Sequence, residues 1–292
     1  MSWLFDASIC FGAGETQIGW TIGPAIILPL IATASLYAVG ASRLWRRSRR
    51  AQALRSQEAL LFVAGWAALA IALVTPLHAL SEHLFVAHMI EHELMMIVAA
   101  PLIVVSGPGA AMIWGLPRSW RRGLGQLLHG GFLSATWRHL ARPVVATVLH
   151  GVAIWIWHVP GLFEAALERG FLHYAQHASF LGTALLFWWV MLPRKGGEQG
   201  LGACVMHLFL TSMHTSLLGV LLLLSPRLWY PENTSLSGLW GLSPLEDQQL
   251  AGLVMWVPGG LIYGGAALLP AGLWIRSSSR SVEEATHALP AR

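Results

Sequence analysis

The chain is 292 residues long, 55% hydrophobic and only 11% charged, with a mean hydropathy of +0.58. An average soluble domain carries about 25% charged residues, so this composition excludes a soluble globular protein and points to an integral membrane protein. The formal net charge of +4 is not read as a nucleic-acid footprint. The basic residues fall in tracts between apolar stretches, where they orient a membrane protein and meet anionic lipid.

The N-terminal MSWLFDASIC has no basic leading region and carries Asp6, so no signal peptide is expected. A helix crosses the hydrocarbon with about 20 mostly apolar residues. Seven stretches qualify, at approximately 18–42, 59–79, 84–106, 143–163, 172–193, 200–225 and 249–274. None alternates with period two, which argues against a barrel. The fold class expected is therefore an all-α bundle of seven transmembrane helices, forming a single integral membrane domain over residues 1–292 without tandem repeats. Threading it with the N-terminus outside and the C-terminus cytoplasmic puts the tracts 43–55, 117–123, 137–142 and 193–195 and the C-terminal tail on the inner side. All but Arg169 and Arg227 of the 18 basic residues then lie inside, as the positive-inside rule requires.

Two segments between spans have structural readings. Residues 118–142 mix arginines with Leu, Phe and Trp and fit an interfacial helix on the cytoplasmic leaflet, with His129 and His139 on that surface. Outside, SPLE at 243–246 reads as a capping box with Ser243 at the N-cap, Pro244 at N1 and Glu246 at N3. Cys10 and Cys204 fall on opposite sides of the membrane, so they do not pair within one chain, and no cysteine-based metal spacing exists.

The third stretch opens with HLFVAHMIEHELMM, residues 83–96. Residues i, i+3, i+4 and i+7 share a helical face, so His88, Glu91, His92 and Met95 form one stripe. The fifth stretch repeats the device in HYAQH, with His173 and His177 at i, i+4. The sixth carries His207 and His214 in MHLFLTSMH, and the fourth carries His150 and His158. Depth follows from a rise of about 1.5 Å per residue. His78, His83, His158 and His173 sit near the outer surface, and His88 and His177 lie about 7 Å down. His92, His150 and His214 fall at about 13 to 17 Å, and only His207 lies near the inner side. A single intramembrane histidine is often an interhelical hydrogen-bonding group worth about 0.6 to 2 kcal/mol. Nine in the outer half call for a cavity they can face.

Imidazole suits zinc, copper and iron, and thioether sulfur favours Cu(I), so the His and Met mixture points to copper. Two alternatives stay open. Histidines on facing helices can ligate haem, and three ligands with an open position and a base can support zinc hydrolysis, for which Glu91 is the best-placed intramembrane carboxylate.

The blocks AHMIEHELMMIVAAPLIVVSGP, WHVP, LHYAQHASFLGTALLFWWVML and SPLEDQQLAGLVMW occur in this order and resemble the CtaG family of cytochrome c oxidase assembly factors over most of residues 20–275. The resemblance implies a seven-span protein of the bacterial cytoplasmic membrane associated with copper delivery to haem-copper oxidases. Functional residues are carried over to His88, His92, Trp157, His158, His173, His177 and the Asp247–Gln248 pair. Glu91 departs from the family pattern, in which an amide often stands. The expected function is copper binding and transfer rather than catalysis, with copper bound as Cu(I) through the outer-half His and Met residues. His78, His158 and His173 would take it up, His88 and His177 relay it, and His92, Met95, His150 and His214 hold it. Expected partners are an apo cytochrome c oxidase subunit as recipient, a periplasmic copper chaperone as donor, and membrane lipid, with no nucleic acid.

Overall fold

The computed structural model describes residues 8–9, 19–46, 52–192 and 200–288, nearly all of them helical. Cys10 and the basic tract at 193–195 lie outside the described residues, as does part of the 43–55 tract. Among the described residues, five helices are long and apolar enough to cross a membrane: Pro24–Trp45, Ser56–Val74, Phe85–Val105, Leu201–Leu224 and Pro244–Ser279. A sixth appears if Gly131–Leu140 and Pro143–Trp157, bent by 71° at their junction, form one span. The stretch expected as the fifth span forms a 22-residue helix, Gly170–Met191. Its Gln176 and His177 dilute its apolar character, which leaves it outside that group.

The segment expected to form an interfacial helix is two helices rather than one, Arg118–His129 and Gly131–Leu140, broken at Gly130. Trp120, Phe132, Trp137 and His139 on it are exposed. The capping box forms as expected: Ser243 Oγ accepts from Glu246 N, and the Glu246 carboxylate accepts from Ser243 N at 2.7 Å.

Where helices cross closely, small residues permit it. A Cβ on Gly219 would lie 2.7 Å from the Gly252 carbonyl oxygen, so the Leu201–Leu224 and Pro244–Ser279 helices touch backbone to backbone there. Small residues at such crossings are how membrane helices gain contact area without an aqueous driving force.

The Phe85–Val105 helix is not uniform. Leu94–Ala99 is a π-helical turn, and Pro101 supplies a reason. Proline has no N–H and its ring crowds the carbonyl four residues back, so the ladder widens and a carbonyl loses its donor. The Trp188 indole N–H fills the gap by donating to the Met96 carbonyl at 2.8 Å.

Three connections meet at one end of the bundle, namely 75–84, 158–169 and 225–243. Tyr230 donates its hydroxyl to the His158 carbonyl at 2.6 Å, Asn233 Nδ2 donates to the Ser81 carbonyl at 3.0 Å, and Leu236 N donates to the His83 carbonyl at 3.2 Å. Burial, with Glu164 adding to it, pushes the Tyr230 phenol up, so it stays a donor. At the other end Arg43 donates to the carbonyls of Trp114, Gly115 and Leu116.

Candidate metal centre

The Thr75 hydroxyl caps the short helix Pro76–Ser81, which carries His78. The next helix starts at Phe85 behind an N-cap, Leu84, whose side chain makes no cap bond. The missing acceptor comes from far along the chain. Asp247 Oδ2 accepts from Phe85 N and Oδ1 from Val86 N, each at 2.9 Å, and the carboxylate is fully buried. The first N–H groups of a helix have no partner within it, so Asp247 is a cap supplied in trans. Its neighbour Gln248 accepts from Trp229 N at 2.6 Å and donates to the Arg227 carbonyl at 3.0 Å. The Asp247–Gln248 pair thus fastens the 225–243 connection and the start of the His-bearing helix.

With that helix fixed, its predicted face forms in part. His88, Glu91 and His92 are buried and point toward the Gly170–Met191 helix. The His88 and His173 rings lie 5.8 Å apart, and those of His92 and His177 5.3 Å. His78 completes the group, with ring centroids 5.3 Å from His173 and 5.6 Å from His177. One ligand atom each from His78, Glu91, His173 and His177 can be chosen so that all lie within 4.8 Å of one another, and all four residues are buried. Glu91 Oε1 is 2.6 Å from His78 Nδ1 and 3.8 Å from His177 Nε2. A carboxylate against an imidazole is the arrangement that fixes the orientation of metal-binding histidines.

The donor set fits a metal ion on a second count. Among the described residues, Glu91 Oε2, His173 Nε2 and His177 Nε2 are buried without a hydrogen-bond partner, as are His88 Nε2, His158 Nε2 and both ring nitrogens of His92. Each such atom costs about 1–3 kcal/mol when left unpaired. An ion coordinated by them would offset that cost.

Other residues expected in one ladder lie elsewhere. Met95 is fully buried in an aliphatic cluster with Ile26, Leu30, Leu69 and Ala72. The π-helical turn begins at Leu94, so residues beyond it leave the face that a 3.6-residue period assigns. His150 bonds Tyr263 Oη at 2.8 Å and Thr183 Oγ1 at 3.2 Å. His214 Nδ1 accepts from the Trp155 indole at 3.3 Å. Trp157 donates to Ser179 Oγ at 2.7 Å. Glu91, expected on the stripe and as a base for zinc chemistry rather than among the copper ligands, belongs to the group itself. Its place on the His88/His92 face was the available signal. Tyr230 and Asn233 carried no such signal, because their partners are backbone atoms distant in sequence.

Helices apolar enough to cross a membrane several times, with a buried His/Glu group near one end, define a multi-pass membrane protein with a candidate metal centre. The family model for the cytochrome c oxidase caa3 assembly factor (Caa3_CtaG) matches residues 35–277, and the chain belongs to that family. No curated protein and no solved structure matches it.

Proposed function

We propose that this assembly factor binds copper and delivers it to an apo cytochrome c oxidase subunit. The observation that carries the reading is the buried convergence of His78, Glu91, His173 and His177 within 4.8 Å. In a family tied to maturation of a copper enzyme, such a group suits the cargo. Imidazole and carboxylate donors hold copper, and a carrier needs moderate affinity so that ligand exchange can release the ion. The whole chain, 1–292, acts as one domain of the bacterial cytoplasmic membrane. Seven spans run with the N-terminus outside and the C-terminus inside, the Gly170–Met191 helix and the bent pair completing the five most apolar helices. The 18 basic residues support that orientation, since only Arg169 and Arg227 fall on the metal-bearing side. A periplasmic copper chaperone is the donor under this reading.

The test begins with metal analysis of protein purified anaerobically. Copper near or above one equivalent is expected; zinc alone would favour hydrolase chemistry, and a Soret band would favour haem. A deletion strain should then hold oxidase with haem present and copper depleted. Full oxidase activity in that strain under copper limitation, with no paralogue expressed, would refute the assembly role.

A further inference from the structure

We propose that the end of the molecule opposite the His/Glu group holds one anionic phospholipid, its phosphate on Arg43, Arg46, Arg118 and Arg121 and an acyl chain in an apolar cleft bounded by the same helices. The site is independent of the copper reading. The four arginines, with Trp114 and Pro117, line a pocket of about 440 Å³. Arg43 is fixed there through one nitrogen, Nη1, which donates to the carbonyls of Trp114, Gly115 and Leu116 at 2.7, 3.1 and 3.3 Å. Its Nε and Nη2 are left for another acceptor. Arg121 lies over the Trp114 ring at 4.6 Å, and its Nε is buried without a hydrogen-bond partner. Among the described residues, no carboxylate forms an ion pair with any of the four.

Four guanidinium groups around one pocket repel one another, so an anion seated among them offsets a cost that the chain's own carboxylates do not. The planar guanidinium presents paired N–H donors that match phosphate oxygens. A basic pocket between membrane helices is where phospholipid head groups dock.

The cleft decides between a lipid and free phosphate. It measures about 450 Å³, and Trp66, Ile103, Met112, Leu185 and Trp189 contribute to its lining. Two helices bound both spaces: Pro24–Trp45 gives Thr33 to the cleft and Arg43 to the pocket, while Gly109–Gly115 gives Met112 to the cleft and Trp114 to the pocket. Those helices are locked together at Gly40 and Gly115, where a Cβ would run into the backbone of Ala111 and Leu36. Thr33 and Arg43 are ten positions apart, about 15 Å along a helix, which is half the roughly 30 Å hydrocarbon thickness of a bilayer. A phosphate on the arginines therefore puts an acyl chain at the level of the cleft. Trp45, Trp120 and Trp137, on the same elements, are exposed, as aromatic side chains are at a lipid–water boundary. Free phosphate would use the pocket alone; a phospholipid uses both spaces.

The test is native mass spectrometry of the full chain, stripped of lipid in a mild detergent and titrated with phosphatidylglycerol. The parent should retain one molecule per chain, and phosphatidylcholine, whose ammonium cancels the charge, should bind at least about tenfold more weakly. These two arms need no substitution. Arg46 and Arg118 make no hydrogen bond to the described residues, so the double variant Arg46→Gln/Arg118→Gln should fold and bind phosphatidylglycerol about 30-fold more weakly, about fivefold for each arginine. Arg122→Gln/Arg138→Gln removes two exposed arginines outside the pocket and should match the parent. Gly182 lines the cleft, and a Cβ on it meets nothing within 4 Å. Gly182→Leu should therefore fill the cleft and expel the lipid with every arginine in place. Equal retention of the two lipids, or loss equal in both arginine pairs, would overturn the site. Displacement of the lipid by an equimolar amount of inorganic phosphate, or undiminished binding in Gly182→Leu, would show a phosphate pocket with no seated chain and overturn the phospholipid as its occupant.

Discussion

Replacing Asp247 with alanine tests whether its carboxylate holds the His-bearing helix in place. The carboxylate accepts from Phe85 N and Val86 N at 2.9 Å each and lies 2.9 Å from Ser237 Oγ, all buried. Ser237 can turn to the Thr234 carbonyl, also 2.9 Å away, so the substitution strands two backbone N–H groups. At about 1–3 kcal/mol for each buried donor left unpaired, the loss is about 2–6 kcal/mol. Asp247→Asn keeps one acceptor oxygen and should lose about half as much. For a protein of this size 1 kcal/mol moves the melting point by about 2–4 °C, which places Asp247→Ala roughly 5–20 °C below the parent. The assay is thermal unfolding in one detergent, with copper retention measured on the same samples, since His88 lies one turn beyond Phe85 and should lose alignment. A melting point within about 2 °C of the parent, with copper retained, would refute the argument that this carboxylate caps the helix in trans.

His177→Ala and Glu91→Gln should each lower the copper retained after chelator washing, while His139→Ala, on an exposed interfacial helix, should match the parent; equal copper in all three would remove the metal centre. Met95→Leu should leave copper content unchanged and cost less than about 1.5 kcal/mol, because a volume-conserving swap in an aliphatic cluster is well tolerated; a selective drop in Cu(I) would restore the thioether as a ligand. A cysteine placed at Leu239, 75% exposed on the outer connection, should react with a membrane-impermeant thiol reagent added to whole cells stripped of their outer envelope. Labelling that appears only after lysis would reverse the orientation.

Much of this centre was written in helical spacing. His88, Glu91 and His92 share a face by periodicity, His173 and His177 do the same on a second helix, and the structure turns the two faces toward each other. The stripe failed at Met95 because the period itself changes at Leu94, where Pro101 a turn and a half later removes a donor from the ladder. Depth counting put His150 and His214 level with His92, yet height along a span carries no information on which way a side chain faces. Tyr263 and Thr183 claim His150, and Trp155 claims His214. The role of Asp247 depends on a contact 162 residues away, which no local pattern encodes. The apolar stretches were legible for the same reason the faces were: each is a property of consecutive residues.

The braces behind the ligands have a further consequence for biosynthesis. Every side chain of the His78, Glu91, His173 and His177 group is translated before the Tyr230, Asn233 and Asp247 that hold the surrounding backbone. A ribosome-bound chain that has emerged only as far as Leu224 therefore carries all the ligands and none of the clasp. If the group binds copper as proposed, metal competence would be deferred to the last helix inserted, and a truncated product would be a poor thief of copper from the finished protein.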